Sequence, residues 1–153
     1  MIQFLSNIPD WNPIWEPQKK GRLLIDLRKC RDKQCILRQL GAVLKGSDSA
    51  TIGGNSLDAL VDVMGDWFTE HWGEKIEIYI RGADGIDRSQ PGLLAEIADC
   101  MQSACDRGAR EVELNGRGPY GGEKMRVTIF FCWAGDAPRQ GRVLNKIARN
   151  HKK

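Results

Sequence analysis

Apolar residues first gather in a nearly unbroken run from Gly21 to Leu27, GRLLIDL, where Leu23, Leu24, Ile25 and Leu27 predict a strand covered on both faces. The period then changes. Ile36, Leu40, Val43 and Leu44 recur at i, i+4, i+7 and i+8, which predicts a helix capped by Asp32 and ended at Lys45-Gly46. A Ser/Asp/Gly-rich connection from Ser47 to Asn55 follows. Ser56 is then placed as the N-cap of a second helix, running to about Trp72 and closed by Gly73. Lys75 to Ile80, KIEIYI, alternates Ile76, Ile78 and Ile80 with Glu77 and Tyr79 and so predicts a strand. A loop rich in Gly and Asp leads to Pro91, which suits the first turn of a third helix. That helix bears Leu94, Ile97, Ala98, Met101 and Cys105 and is expected to stop at Gly108. Arg110 to Leu114, REVEL, reads as a third strand. After a glycine-rich loop, Arg126 to Trp133, RVTIFFCW, reads as a fourth, paired with the third as a hairpin.

Strand, two helices, strand, helix, strand describes an α/β fold, because right-handed helical crossovers join successive parallel strands. The expected form is a small sandwich: a mainly parallel three-stranded sheet packed with helices, plus a C-terminal hairpin strand. The 153 residues suffice for one core, so a single domain is expected. Its parts are an N-terminal arm at 1–20, a core at 21–114, and an extension at 115–153 holding the extra strand and a basic tail.

Charge adds more to this picture than overall composition does. The formal net charge is +3, but residues 48–87 carry nine acids against two bases, a net of −7. From Ala134 onward six bases face Asp136 alone, a net of +5. Opposite fields on separate segments steer different ligands. No apolar run approaches the roughly 20 residues of a membrane helix, and MIQFLSNIPDWNPIWEPQKK lacks the pattern of a signal peptide. No membrane partner and a cytoplasmic location are therefore expected. The cysteines, Cys30, Cys35, Cys100, Cys105 and Cys132, include no Cys-x-x-Cys pair and have no histidines nearby to complete a zinc site. They are read as free thiols of a reducing compartment, and no metal or cofactor is expected.

On the second helix Leu57, Leu60, Val61, Met64, Trp67 and Phe68 share one arc, while Asp58, Asp62 and Asp66 fall at i, i+4 and i+8 on another side. Asp58 gains from the helix dipole, but like charges four apart cost each pair a few tenths of a kcal/mol. Folding does not ask for the second and third acid. A solvated face is the plain account of such a row. Yet Lys75 is the only base between Asp48 and Tyr79, which leaves the carboxylates without a local counter-charge. Such a stripe suits docking of a partner's arginines and lysines, since Arg–carboxylate pairs form short bidentate bonds.

The segment GGNSLDALVDVMGDW, from Gly53 to Trp67, resembles the signature of the barstar family of ribonuclease inhibitors: Gly-x-Asn in a loop, then Leu-Asp-Ala-Leu-x-Asp opening a helix, with Trp shortly after. The order of elements from Gly21 to about Leu114 is similar as well. The resemblance implies inhibition by occlusion, with carboxylates standing in a basic ribonuclease's cleft where the RNA phosphates would sit. It implies an immunity protein of a bacterial toxin–antitoxin pair, binding its cognate ribonuclease toxin 1:1. The partner-binding residues carried over are Asn55, Leu57, Asp58, Asp62, Asp66 and Trp67. The chain departs from the family pattern: the spacing of Asn55 to Asp58 is one residue longer, Val61 replaces an aromatic contact residue, and Asp66 replaces a small one. Its loop, Ala-Thr-Ile-Gly-Gly, also lacks the family's tyrosines, and Ser103 falls about where the family has an acid. These differences imply an inhibitor of the same type aimed at a different enzyme.

Catalysis finds little footing. His71 and His151 are the only histidines, no Gly-x-Ser-x-Gly is present, and Asp58 and Asp62 share one helix surface where a glycosidase pair would face across a cleft. No catalytic residue is expected. Gly116 to Lys124, GRGPYGGEK, precedes a strand and lacks the Lys-Ser/Thr ending of a phosphate loop, so a hairpin loop is expected. Trp11 and Trp15, among Pro9, Pro13 and Pro17, are expected to pack the arm onto the domain. The rival reading is a small RNA-binding module using Arg142, Lys146 and Arg149 of the tail on phosphates. It lacks a recognisable stacking platform, and nucleic acid is not the expected partner.

Overall fold

A computed structural model describes residues 2–9, 11–15, 21–45, 57–114 and 126–135. Along the chain run β1 (Ile2–Leu5), a 3-10 turn (Pro13–Trp15), β2 (Arg22–Asp26), α1 (Lys33–Lys45) and α2 (Leu57–Glu70). Then come β3 (Ile76–Arg81), α3 (Ala83–Ser89), α4 (Leu93–Leu114) and β4 (Val127–Cys132). The strands form one sheet in the order β1-β4-β3-β2, and every neighbouring pair is parallel. Both helical crossovers, β2 to β3 and β3 to β4, step in the same direction across this sheet. Right-handed connections therefore bring their helices to the same face. There Ile25, Ile78, Ile80, Ile129, Phe131 and Phe4 join Leu40, Leu60, Met64, Phe68, Ile97 and Met101 in a single buried core.

The local signals place most elements. The Cys35 amide donates to Asp32 Oδ1 at 2.8 Å, which caps α1. Gly73, at φ 87°, ends the turn that follows α2. Pro91, expected in the first turn of the third helix, lies in the turn just before it: Gly92, at φ 90°, follows, and α4 begins at Leu93.

Two expectations are overturned together. Gly108 does not stop the third helix, and Arg110 to Leu114 is not a strand: both lie inside α4, which runs for 22 residues. The reason is packing. A Cβ at Gly108 would lie 3.1 Å from Phe68 Cβ and 3.4 Å from the Gly65 carbonyl oxygen, so the missing side chain lets α2 and α4 approach closely. A mid-helix glycine costs about 1 kcal/mol relative to alanine, and that close contact offsets it. With REVEL helical, β4 has no hairpin partner. It enters parallel beside β3, with Ile78 opposite Ile129 and Ile80 opposite Phe131.

The arm supplies the fourth strand. β1 pairs with β4 from Ile2 opposite Ile129 to Leu5 opposite Cys132, and so covers what would be an open sheet edge. Trp15 packs on the domain as expected: Arg81 lies 4.7 Å from its ring centroid, and its Nε1 donates to the Pro9 carbonyl at 3.0 Å. Trp11 does not pack, being 83% exposed. The short helix α3 occupies part of the expected Gly/Asp loop, held by Ala83 and Ile86, both fully buried.

Cys30 and Cys35 are joined by a disulfide, where free thiols were expected. The Asp32 turn folds Cys30 back onto the first turn of α1, leaving the two Cα atoms 5.4 Å apart, within bridging range. Cys100, Cys105 and Cys132 are not in disulfides. Burial pushes the Cys132 thiol up to about 12, so it stays protonated and inert.

On the sheet face away from the helices, Tyr79 stacks on Phe130 with ring centroids 4.8 Å apart, and Arg22 lies 5.0 Å over Tyr79. Burial, with a short hydrogen bond from the Tyr79 hydroxyl to Glu77, pushes this phenol from 10 to about 12. Because the folded state keeps the proton after the unfolded chain has lost it, Tyr79 costs no stability below pH 10. Its contribution falls as the pH rises from 10 to 12. In urea unfolding, wild type is expected to lose roughly 1–2 kcal/mol more than Tyr79→Phe across that window. Parallel losses in the two proteins would remove Tyr79 as the cause.

Candidate protein-binding site on the second helix

The sequence LDALVDVMGDWFTE sorts itself on α2. Leu60, Met64, Gly65, Trp67 and Phe68 are buried, while Asp58, Asp62, Asp66 and also Glu70 stand exposed at intervals of four. Glu70 extends the row by one turn; its spacing was legible, but the expected stripe ended at Asp66.

Beside α2 runs α4, in the most extensive helix–helix contact among the described residues. The two helices point the same way. Asp58 acts on Cys100, Asp62 meets Arg107, and the Thr69 hydroxyl reaches Glu111 Oε2 at 3.4 Å. Gly65 sits at the crossing. A Cβ there would lie 3.4 Å from Arg107 Cδ and 3.7 Å from the Ala104 carbonyl oxygen. The bare glycine leaves a track along which the Arg107 stem reaches over α2.

Arg107 Nη1 makes a close ion pair with Asp62 Oδ1, and its Nε lies 3.7 Å from Glu111 Oε1. The Asp62 carboxylate raises the Arg107 pKa further above its ordinary value, with smaller help from Glu111 and Asp66. The carboxylate row therefore does have a basic counterpart, contrary to the expectation from the flanking sequence. It comes from a residue 45 positions away, outside any local window. The pair stays wet, with the side chains 67% exposed at Asp62 and 38% at Arg107. Next to Asp58, the Cys100 thiol is pushed up to about 11, first by burial and then by Asp99, Asp58 and Glu96. The N-terminal end of this ridge is thus acidic on both helices.

The carried-over residues divide. Asp58, Asp62 and Asp66 come together on one exposed face. Leu57 is half-buried at the start of α2, packed against the core. Trp67 is only 6% exposed, with its ring stacked on His71 at 4.4 Å, so it supports the helix from within. His71 Nδ1 lies 2.9 Å from the Trp67 carbonyl and locks that corner. Asn55 and Ser56 lie outside the described residues, as do the loop 116–124 and the tail bases Arg142, Lys146 and Arg149. Among the described residues no cluster of His, Cys, Asp or Glu could hold a metal. No helix there is long and apolar enough to cross a membrane.

The described residues thus form a parallel α/β domain with an exposed row of carboxylates along α2. The chain belongs to the family described as Barstar (barnase inhibitor), whose pattern it matches over residues 22–116, more than half its length. That family binds and inhibits ribonucleases; its members are inhibitors and not enzymes, which is the ground for reading this chain as a non-enzyme. Comparison with curated proteins and with solved structures gave no match. The match begins at the first residue of β2 and ends just beyond α4, so it leaves β1 and β4 outside.

Proposed function

We propose that this chain is the immunity protein of a basic ribonuclease toxin, acting in the bacterial cytoplasm by binding 1:1 across α2 and covering the enzyme's active site. The observation that carries the reading is the exposed row Asp58, Asp62 and Asp66 within the family-matched segment. A ribonuclease cleft is lined with cations that grip phosphates, and a rigid row of carboxylates offers them the same charge at a helical spacing of about 6 Å. By the family resemblance Asn55 and Leu57 also contact the enzyme, and Trp67 holds the ridge in position from below. Val61 and Asp66, unlike the residues usual at those places, point to a target other than barnase.

The test is titration of the purified chain against a panel of small basic ribonucleases, including barnase and any encoded beside this gene, with cleavage of a fluorogenic RNA as readout. One enzyme is expected to be silenced at a single equivalent of inhibitor. Undiminished cleavage by every enzyme in the panel would overturn the proposal.

A further inference from the structure

The ion pair at the centre of the ridge joins α2 to α4 through one arginine with two carboxylates in reach. Arg107 reaches Asp62 across the Gly65 track and has a second carboxylate, Glu111, one turn along its own helix at 3.7 Å. Its first partner, on α2, stands on the surface that would receive a foreign cation; its second stands on α4 itself, where Thr69 of α2 reaches the other carboxylate oxygen. An exposed pair of this kind is weak, so an incoming guanidinium can displace it. A displaced Arg107 left beside the incoming guanidinium would repel it, and Glu111, already 3.7 Å from its Nε, offers it a second partner.

We infer that Arg107 is a built-in stand-in for the partner's cation, holding Asp62 in the free protein and moving onto Glu111 when an external guanidinium takes Asp62. This deepens the reading of α2 as a cation-binding face and rests on it. Arg107 and Glu111 thereby become positioning residues: they set how readily Asp62 is released and so select for partners that present arginine, whose planar fork competes on equal terms. The second carboxylate lowers the cost of exchange without itself touching the partner.

The probe is a fluorescein-labelled hexa-arginine peptide, titrated at low ionic strength and read by anisotropy. Glu111→Gln is expected to weaken binding at least threefold more when Arg107 is present than in an Arg107→Ala background, because only then does a displaced guanidinium need a new partner. In parallel, the Arg107 Nε–Hε resonance in a nitrogen-15 spectrum is expected to shift on peptide addition in wild type and to stay put in Asp62→Asn. An equal loss from Glu111→Gln in both backgrounds would mean that Glu111 acts directly or only through the general field, and would overturn the exchange. So would an unmoved Arg107 resonance in wild type while the peptide binds. Absence of peptide binding to wild type and to Arg107→Ala would overturn it as well, whereas inhibition of a ribonuclease stands or falls on its own assay.

Discussion

Asp58→Ala together with Asp62→Ala is expected to weaken ribonuclease inhibition about a thousandfold while leaving the fold in place. An interface hot spot costs about 2 kcal/mol or more on truncation, so two of them reach about 4 kcal/mol, and each 1.4 kcal/mol is a factor of ten. The same two changes hardly touch stability. Losing Asp58 forfeits about 0.3–1 kcal/mol of helix-dipole interaction, while relief of the like-charge repulsion along the row returns a few tenths. Losing Asp62 breaks an exposed ion pair, worth at most about 1 kcal/mol, and Glu111 remains beside Arg107. Binding and folding therefore separate. The measurements are the inhibition constant with the enzyme that wild type silences, and thermal unfolding followed by circular dichroism. A double variant that inhibits within about fivefold of wild type would remove these carboxylates from the interface.

The largest expected effect on stability lies far from the ridge, at Gly82. This residue joins β3 to α3 at φ 92°, and a Cβ there would stand 2.6 Å from the Arg28 amide nitrogen and 2.8 Å from Arg28 Cα. Both are backbone atoms just beyond β2, where Leu27 still donates to the Arg81 carbonyl at 2.8 Å, so neither can swing aside. The left-handed conformation costs a side chain about 1–2 kcal/mol and overpacking a further 1–3 kcal/mol. Gly82→Ala is thus expected to lose about 3 kcal/mol, or roughly 6–12 °C in Tm for a chain of this size. Gly92→Ala is the matched control: its φ is 90°, yet nothing lies within 4 Å of the position, so it bears only the conformational cost. Equal shifts in Tm for the two variants would show that the contact with Arg28 carries no weight.

The resemblance in Gly53 to Trp67 and the family match over residues 22–116 agree. The acid row is a property of spacing, and α2 displays it as its period requires. Trp67 is different. The resemblance made it a contact residue, whereas the helical period put it on the apolar arc, and its ring does turn inward, packed by Phe68 and His71. Arg107 was not legible at all as a partner of Asp62, because the two lie 45 positions apart and meet only through the packing of α2 on α4.

What the sequence by itself determined is whatever is set within about one turn or one strand: the isoleucine alternation of β3, the amphipathic periods of α1 and α2, the Asp32 cap, the turn at Gly73 and the outward row of acids. Tertiary structure decided the rest. Gly108 reads locally as a helix stop, and only the approach of Phe68 and Gly65 makes it a point of close packing. RVTIFFCW was expected as a hairpin strand beside REVEL, and it is parallel to β3 instead because REVEL continues α4 and leaves no hairpin partner. Four residues at the N-terminus are too short a signal for a strand until β4 offers them an edge. The ridge, finally, gains its counter-ion from another helix. Local periodicity reports which face of an element is buried or exposed, but the partner on each face is chosen by chain closure over tens of residues, where sequence spacing carries no geometric information.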